Sequence, residues 1–243
     1  LFDGNYAEAL NTWNFRSLLA RQYDVVITNP PYFGSSRFSP ALDSYIKKNY
    51  PEEKADLSMA MFKKALSGLC KKNGFTAFIT TSSWMFLSSF EKVRKFIQVS
   101  AAIDSLVDFG TELFDGQVGH NPIVAWVTRK AQINYRLTAI RLVDYCYSRR
   151  DEKEPEFFNR KNHYTAIQSN FSKIPGAPVA YWIKENWLQI FNNDTLSQYS
   201  KCCKGLDSGD NNRFLRLWFE VDYKRITFNS KDGEKIIWCP HNN

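Results

Sequence analysis

The chain has 243 residues, of which 44% are hydrophobic and 16% aromatic, and its 32 Lys and Arg against 25 Asp and Glu give a net charge of +7. This is ordinary for a globular protein with one large domain or two small ones, and the positive charge favours a polyanionic partner such as nucleic acid. No apolar run reaches the roughly 18 residues of a membrane span and no signal-peptide pattern opens the chain, which argues against a membrane protein.

Cysteine and histidine usage argues against disulfides and against a metal site. The five cysteines are scattered and odd in number. Cys202 and Cys203 are adjacent, but they lack the spacing of a Cys-x-x-Cys metal pair, and the three histidines show no ligand-like spacing. We therefore predict no metal and a reducing, cytoplasmic compartment.

The strongest signal in the chain is a strand that ends at two prolines. It follows a loosely helical segment over residues 9–19, and its run Val25–Ile27 is β-branched and apolar, as in strands covered on both faces. Pro30 and Pro31 donate no backbone hydrogen bond and hold each preceding residue extended. Asn29-Pro30-Pro31-Tyr32 is therefore a rigid turn at the carboxyl end of a strand, where α/β sheets bind ligands.

This turn has the groups that would activate an exocyclic amino group. The lone pair of such an amine on adenine is delocalised into the ring, and two acceptors aimed at its hydrogens would localise it. The Asn29 side-chain oxygen and the Pro30 carbonyl are two such acceptors. Tyr32 offers a flat face on which a base can stack, a contact worth ~1–3 kcal/mol. The alternative interpretation is a purely structural Pro-Pro turn.

Asn29-Pro30-Pro31-Tyr32, preceded by Asp24-Val25-Val26-Ile27-Thr28, resembles the catalytic motif of S-adenosylmethionine-dependent amino methyltransferases, above all those that make N6-methyladenine in DNA. The resemblance implies S-adenosylmethionine as cofactor, double-stranded DNA as partner, and base flipping before direct methyl transfer. It implies that Asn29 and Pro30 bind the target amino group, with Pro31 fixing the turn. It also implies that Tyr32 stacks on the base, with Phe33 packed nearby.

The motif identifies the type of reaction more specifically than it identifies the substrate. Release-factor glutamine methyltransferases have the same tetrapeptide, so a protein or RNA amino methyltransferase is one alternative. A second alternative is a non-catalytic DNA-binding subunit of a defence complex. The first alternative predicts methylation of release factor or RNA in place of DNA, and the second predicts that Asn29→Ala leaves biological activity intact.

The segment after the motif adds a loop and two predicted helices. Arg37 in the loop is a candidate DNA contact, and a simple solvated charge explains it equally well. Ser39 caps the first helix and Asp56 caps the second. In the resembling family a short acidic and apolar stretch at this place lies near the adenine of the cofactor. The resemblance therefore makes Asp56 and Leu57 candidate cofactor contacts, beside the plain capping role of Asp56.

Further strands complete a predicted α/β sheet. They are Phe75–Thr81, Ala102–Phe109 and Ile123–Thr128, with alternation over residues 133–147 that allows one more. The short loop before Ile123 makes that strand antiparallel to its neighbour. Trp84, just after the second strand, is a candidate for packing on the base, or simply part of the next helix cap. We interpret residues 1–150 as the second half of a Rossmann-like methyltransferase sheet.

A linker is predicted over residues 151–180, because the mixed charge run that begins at Arg149 is typical of a solvated boundary. In residues 181–243, the stretch Gly205–Arg216 resembles the opening of target-recognition domains in large one-chain restriction-modification and BREX phage-exclusion adenine methyltransferases. The resemblance implies an α+β recognition domain, makes Arg213 and Arg216 candidate DNA contacts, and implies restriction or phage-defence subunits as partners.

A cofactor-binding half with a Gly-rich first turn normally precedes a catalytic strand of this kind. The sequence contains no Gly-x-Gly, and the strand begins near residue 23 of a chain that opens with Leu1. We therefore expect a fragment of a longer methyltransferase, without its amino-terminal cofactor-binding part and with an incomplete recognition domain. Such a fragment should bind S-adenosylmethionine poorly and methylate nothing by itself.

Overall fold

The computed structural model describes residues 4–116, 120–130, 135–201, 209–226 and 238–240. Contacts within the chain separate two units, Leu1–Asn193 and Asp194–Asn243. The first unit contains a mixed sheet with helices packed on it, which confirms the α/β fold class predicted for it. The second unit contains only short elements in its described part.

A six-stranded sheet organises the first unit. Its strands are β1 (Tyr23–Thr28), β2 (Cys70–Thr81), β3 (Ala102–Gly110), β4 (Ile123–Arg129), β5 (Arg136–Arg141) and β6 (His163–Ile167). The spatial order is β1-β2-β4-β3-β5-β6. β1 pairs with β2 in parallel and β3 with β5 in parallel, whereas β4 is antiparallel to both its neighbours and β6 to β5. β1, β2, β3 and β5 therefore end at the same edge of the sheet.

Helices connect and cover the strands. They are α1 (Gly4–Ala20), α2 (Pro40–Asn49), α3 (Leu57–Lys64, continued by a π-helical turn over Ala65–Leu69), α4 (Glu91–Ser100), α5 (Lys153–Phe157), α6 (Leu196–Tyr199) and α7 (Asn211–Phe214). Both predicted caps are confirmed: the Ser39 hydroxyl accepts from the Leu42 N–H, and the Asp56 carboxylate accepts from the Ser58 N–H. Among the described residues no helix is long and apolar enough to cross a membrane.

The core of the first unit is built around Trp126 of β4. Its ring centroid lies 4.5 Å from that of Phe62 and 4.3 Å from that of Trp84. Its indole Nε1 donates to the Thr80 hydroxyl at 3.1 Å, so the one polar group of this buried ring is satisfied. This packing holds α3 and the 3-10 turn Ser82–Met85 against β4.

The strand before the motif differs from its prediction. β1 lies at the end of the sheet, and in the described residues only β2 pairs with it. The side chains of Val25 and Ile27 are 51% and 74% exposed. This apolar, β-branched run therefore forms an edge strand with one face exposed. The prediction of a strand covered on both faces is wrong for this structure.

Residues 151–180, for which we predict a linker, are packed into the first unit. β6 extends the sheet beside β5, and the side chains of Phe171, Ile174 and Val179 are buried. Contacts divide the chain only after Asn193. The charge run misleads because it forms a 3-10 turn and α5, in which Lys153 is buried and donates to the Tyr145 carbonyl, and the residues that follow return to the sheet.

The second unit shows two short helices, two 3-10 turns (Trp218–Glu220 and Tyr223–Arg225) and an isolated bridge between Ile226 and Trp238. Its described residues contain no strand, and Gly205–Ser208 of the predicted recognition-domain opening lies outside them. The assignment of this unit as the start of a recognition domain stays a prediction.

Candidate active site

The predicted catalytic turn directly follows β1, at the edge where the parallel strands end. Asn29 and Pro31 are exposed, Pro30 is buried, and Tyr32 and Phe33 are half-buried. The turn is thus anchored at one proline while its amide side chain faces outward. Neighbouring polar residues follow β2 at the same edge, where the Thr81 and Ser83 hydroxyls lie 2.8 Å apart.

Within the turn, the two side chains expected to contact the base contact each other. The Tyr32 hydroxyl donates to Asn29 Oδ1 at 2.9 Å. Burial raises the pKa of Tyr32 above its ordinary value, so the phenol stays protonated and remains a donor at neutral pH. The Asn29 oxygen predicted to accept from the target amino group is therefore already paired with a hydroxyl.

The residues after the turn are clamped to the start of α3. The Leu57 N–H donates to the Phe33 carbonyl at 3.0 Å, and the Ser35 N–H donates to the Ala55 carbonyl at 3.0 Å. The Phe33 ring stacks on Phe38 with centroids 5.8 Å apart. These contacts hold the downstream side of the turn, and Phe33 packs on a ring of its own loop. Its predicted packing beside the base stays a prediction.

Asp56 and Leu57 lie on this clamp. The Asp56 Oδ1 accepts from the Ser58 N–H at 2.8 Å and from the Ser58 hydroxyl at 2.6 Å, so its capping role is present in the structure. Leu57 lines an apolar cleft of about 510 Å³ together with Val26 and Thr28 of β1. The clamp therefore places both candidate cofactor contacts next to the catalytic turn.

Trp84 does not lie at the site. Its side chain is 1% exposed and stacks on Trp126 in the core. The 3-10 turn Ser82–Met85 directs the ring inward, under the sheet edge. The structure thus contradicts the predicted packing of Trp84 on the base, because a nucleobase cannot reach a fully buried ring.

The three candidate DNA-binding arginines are exposed. Arg37 lies on the 3-10 turn Ser35–Arg37, five residues beyond Tyr32. Arg213 and Arg216 belong to the second unit, where the Arg213 guanidinium lies 5.0 Å from the Phe214 ring centroid and Arg216 Nη1 donates to the Asn212 carbonyl. Their contacts with DNA stay predictions.

A buried polar pair at the same sheet edge was not predicted. Asp108 of β3 is 5% exposed, and it accepts from the Tyr181 hydroxyl at 3.0 Å and from the Gly110 N–H at 3.3 Å. Burial raises the pKa of Asp108, and burial together with the nearby carboxylate raises the pKa of Tyr181. A carboxylate two residues before the glycine that ends a strand is the sequence signal that points to this pair.

No group of three or more His, Cys, Asp or Glu side chains with metal-binding placement occurs among the described residues. An Asn-Pro-Pro-Tyr turn at the carboxyl edge of an α/β sheet is the arrangement that we expect for an amino-methyltransferase domain.

Comparison with known proteins finds a matching family. The profile of the Eco57I restriction-modification methylase family matches residues 3–114 of this chain. The matched residues include the whole predicted catalytic turn, its clamp and the strands β1 to β3.

Two curated relatives match nearly the entire chain. The adenine-specific methyltransferase PglX of Lacticaseibacillus casei (strain Zhang) is 34% identical in an alignment of 250 residues that covers 95% of this chain and 20% of the relative. The adenine-specific methyltransferase BrxX of Escherichia coli O9:H4 (strain HS) is 34% identical in an alignment of 228 residues that covers 92% of this chain and 18% of the relative. The chain thus spans about a fifth of the length of these relatives.

Solved structures of restriction-modification proteins are similar to this chain at lower identity. The methyltransferase subunit of a type I system from Streptococcus thermophilus is 14% identical, with a TM-score of 0.45 over 65% of this chain and 37% of that one. The type ISP enzyme LlaGI, in complex with a DNA substrate mimic, is 15% identical, with a TM-score of 0.43 over 68% of this chain and 18% of that one.

Proposed function

We propose that this protein is an S-adenosylmethionine-dependent DNA methyltransferase that methylates N6 of a flipped adenine, within a restriction-modification or phage-defence system. The main support is the exposed turn at the carboxyl edge of the sheet, where Asn29 and Pro30 supply two oxygens beside the ring of Tyr32. The names of both relatives favour adenine over a glutamine or an RNA amine as the acceptor.

The geometry of the turn suggests how the acceptor is activated. A flipped adenine stacks on the ring of Tyr32, and the Tyr32 hydroxyl releases Asn29 Oδ1. The two N6 hydrogens then donate to Asn29 Oδ1 and to the Pro30 carbonyl. This pairing draws the N6 lone pair out of conjugation with the ring and directs it outward, and the extra N6 proton leaves after transfer.

S-adenosylmethionine supplies the electrophilic methyl group when bound. Asp56 and Leu57 fit its adenosine part, since the clamp holds them next to Phe33. The Ser58 bonds occupy Asp56 Oδ1, and Asp56 Oδ2 has no hydrogen bond among the described residues, so it can accept from a ribose or adenine donor. Leu57 contributes an apolar wall of the cleft beside β1.

The wider surface suits a DNA partner. Arg37 next to the turn, and Arg213 and Arg216 in the second unit, are exposed cations on a chain of net charge +7, and we assign them to phosphate contacts. Association with restriction or phage-defence subunits, and action on DNA in the cytoplasm, belong to the same proposal.

The test is methylation by the protein expressed from its intact gene. Host genomes are sequenced for N6-methyladenine with the wild-type gene, with Asn29→Ala, and with Asn49→Ala as a matched control at an exposed asparagine of α2. We expect a sequence-specific adenine mark with the wild type and the control, and its loss with Asn29→Ala.

An unchanged mark in the Asn29→Ala strain would overturn the catalytic assignment. Absence of any adenine mark with the wild-type gene, together with methyl transfer to release factor or RNA in purified form, would assign the site to another acceptor.

A further inference from the structure

A second cleft opens at the same sheet edge as the catalytic turn. It has a volume of about 380 Å³ and lies where β3 and β5 end, with Phe86, Pro122, Arg141, Val143 and Trp182 on its walls. We refer to it as the β3–β5 cleft. All of these residues belong to the first unit, so the cleft and the turn share one sheet.

Two aromatic side chains line the cleft with partly exposed rings. Phe86 and Trp182 are each 39% exposed, and their ring centroids lie 5.6 Å apart. Tyr181 meets Trp182 edge-on at 5.0 Å, and Tyr181 is itself held by its hydrogen bond to Asp108. The indole is therefore kept in one orientation while part of its surface stays open, which is what a stacked base requires.

The charged side chains around the cleft are compatible with binding of a nucleotide. Arg141 on one wall is partly exposed and pairs with Asp144, which is largely exposed. Such a surface ion pair contributes little, so a phosphate can compete for the guanidinium. Both oxygens of Asp108 accept hydrogen bonds, from the Tyr181 hydroxyl and the Gly110 N–H, and these donors offset part of the charge of the carboxyl group.

We propose that the β3–β5 cleft binds one unpaired nucleobase of the DNA substrate, stacked on Trp182, with the adjacent phosphate facing Arg141. This rests on the proposed function, since it assumes that DNA lies along this edge. Three strand spacings separate β1 from β3 in the sheet order, roughly 14 Å. That length corresponds to about four stacked nucleotides, so the base in the cleft is a near neighbour of the flipped adenine.

Photo-crosslinking tests the proposal with the protein expressed from its intact gene. Duplexes that contain the methylated sequence carry 5-iodouracil at one position at a time, on either strand around the target adenine, and crosslinked peptides are identified by mass spectrometry. We expect one or two positions within about four nucleotides of the target to crosslink to Trp182 or Phe86. The control variant is Trp187→Ala, which removes an exposed tryptophan of the same segment outside the cleft.

Substitutions at Trp182 distinguish the loss of base stacking from a general loss of folding. Trp182→Ala should abolish this crosslink and weaken duplex binding by about tenfold, Trp182→Phe should restore most of the binding, and Trp187→Ala should change neither. If the duplex is methylated normally but no position crosslinks to the cleft and Trp182→Ala binds as the wild type does, the cleft proposal fails and the proposed function stands. If no DNA is methylated or bound, both fail.

Discussion

The Tyr32 hydroxyl occupies the hydrogen-bond acceptor of Asn29, with 2.9 Å between Tyr32 Oη and Asn29 Oδ1. In the proposed reaction that same oxygen accepts from the amino group of adenine. The phenol thus takes the place of the substrate donor, which keeps the amide oriented while the site is empty. Entry of the base exchanges one hydrogen bond for another, so the exchange itself costs little.

This relationship predicts different effects for two substitutions at Tyr32. Tyr32→Ala removes the stacking face and should weaken binding of a flipped base by about 1–3 kcal/mol, with a large loss of methylation. Tyr32→Phe keeps the ring and frees the Asn29 oxygen, so it should retain most of the activity. Methylation rates at saturating and limiting DNA, measured for the protein from the intact gene, distinguish the two.

A Tyr32→Phe variant as inactive as Tyr32→Ala would show that the hydroxyl acts in the reaction beyond holding Asn29. Equal activity of all three proteins would remove Tyr32 from the site. Tyr147→Phe serves as the control, because this tyrosine is exposed on the 3-10 turn Tyr147–Glu152 and lies outside the catalytic turn.

The buried Arg94 outside the catalytic turn should contribute to the stability of the first unit. Its guanidinium is buried and donates to the carbonyls of Trp84, Leu87 and Gly176, at 2.6–3.0 Å. It thereby joins the loop after β2 to the segment that we predict as a linker. Arg94→Met leaves these carbonyls without their donor and should lower the free energy of unfolding by roughly 2–5 kcal/mol.

Urea unfolding of Arg94→Met against wild type measures this loss. Lys95→Met is the matched control, since Lys95 is exposed on the same helix and forms only a surface ion pair with Glu91. It should change stability by less than about 0.5 kcal/mol. Equal stability of the two variants would mean that residues 168–181 are not fixed to the unit through Arg94.

These contacts show where the sequence is informative. β-branched runs, prolines and short loops determine β1 to β4 locally, so periodicity predicts their positions and the antiparallel direction of β4. The inward direction of Trp84 depends on the 3-10 turn that follows β2. The Gly176 carbonyl that binds Arg94 and the Tyr181 hydroxyl that binds Asp108 are more than 70 residues away from them in the chain. Long-range pairs of this kind leave no periodic signal, so neither the buried Trp84 nor the packing of residues 151–180 follows from local pattern.

The buried Asp108–Tyr181 pair should make the free energy of unfolding depend on pH. Burial raises the pKa of Asp108 in the folded state above its unfolded value of about 4, so between these two values the folded protein binds more protons than the unfolded one. The contribution of Asp108 to stability is therefore fully present below pH 4 and declines as the pH rises through the raised pKa. Asp108→Asn keeps an acceptor for the Tyr181 hydroxyl without the titration.

The measurement is the difference in urea midpoint between wild type and Asp108→Asn across pH 4 to 8. The wild type should lose stability relative to the variant as the pH rises, because other titrating groups cancel in the difference. A difference that is constant with pH, or that grows in favour of the wild type, contradicts the raised pKa.

The open side of β1 predicts a further contact in the full gene product. Val25 and Ile27 are largely exposed, and the described residues leave the outer edge of β1 without a strand partner. An apolar edge strand of this kind invites strand pairing and aggregation unless another segment covers it. We expect residues of the full gene product outside this chain, among them the predicted cofactor-binding part, to cover Ile27 on the face of β1 opposite to Val26 and Leu57.

Ile27→Lys tests this in two proteins, the 243-residue chain and the full gene product. In the short chain the new lysine stays in water, so stability should change by less than about 0.5 kcal/mol. In the full product the charge is buried without a partner, which should cost about 2 kcal/mol or more and reduce S-adenosylmethionine binding in calorimetry. Ser89→Lys, at an exposed turn, should be neutral in both. A neutral Ile27→Lys in the full product would show that this face of β1 stays open there. Tight cofactor binding by the short chain would show that its cofactor site is complete without further residues.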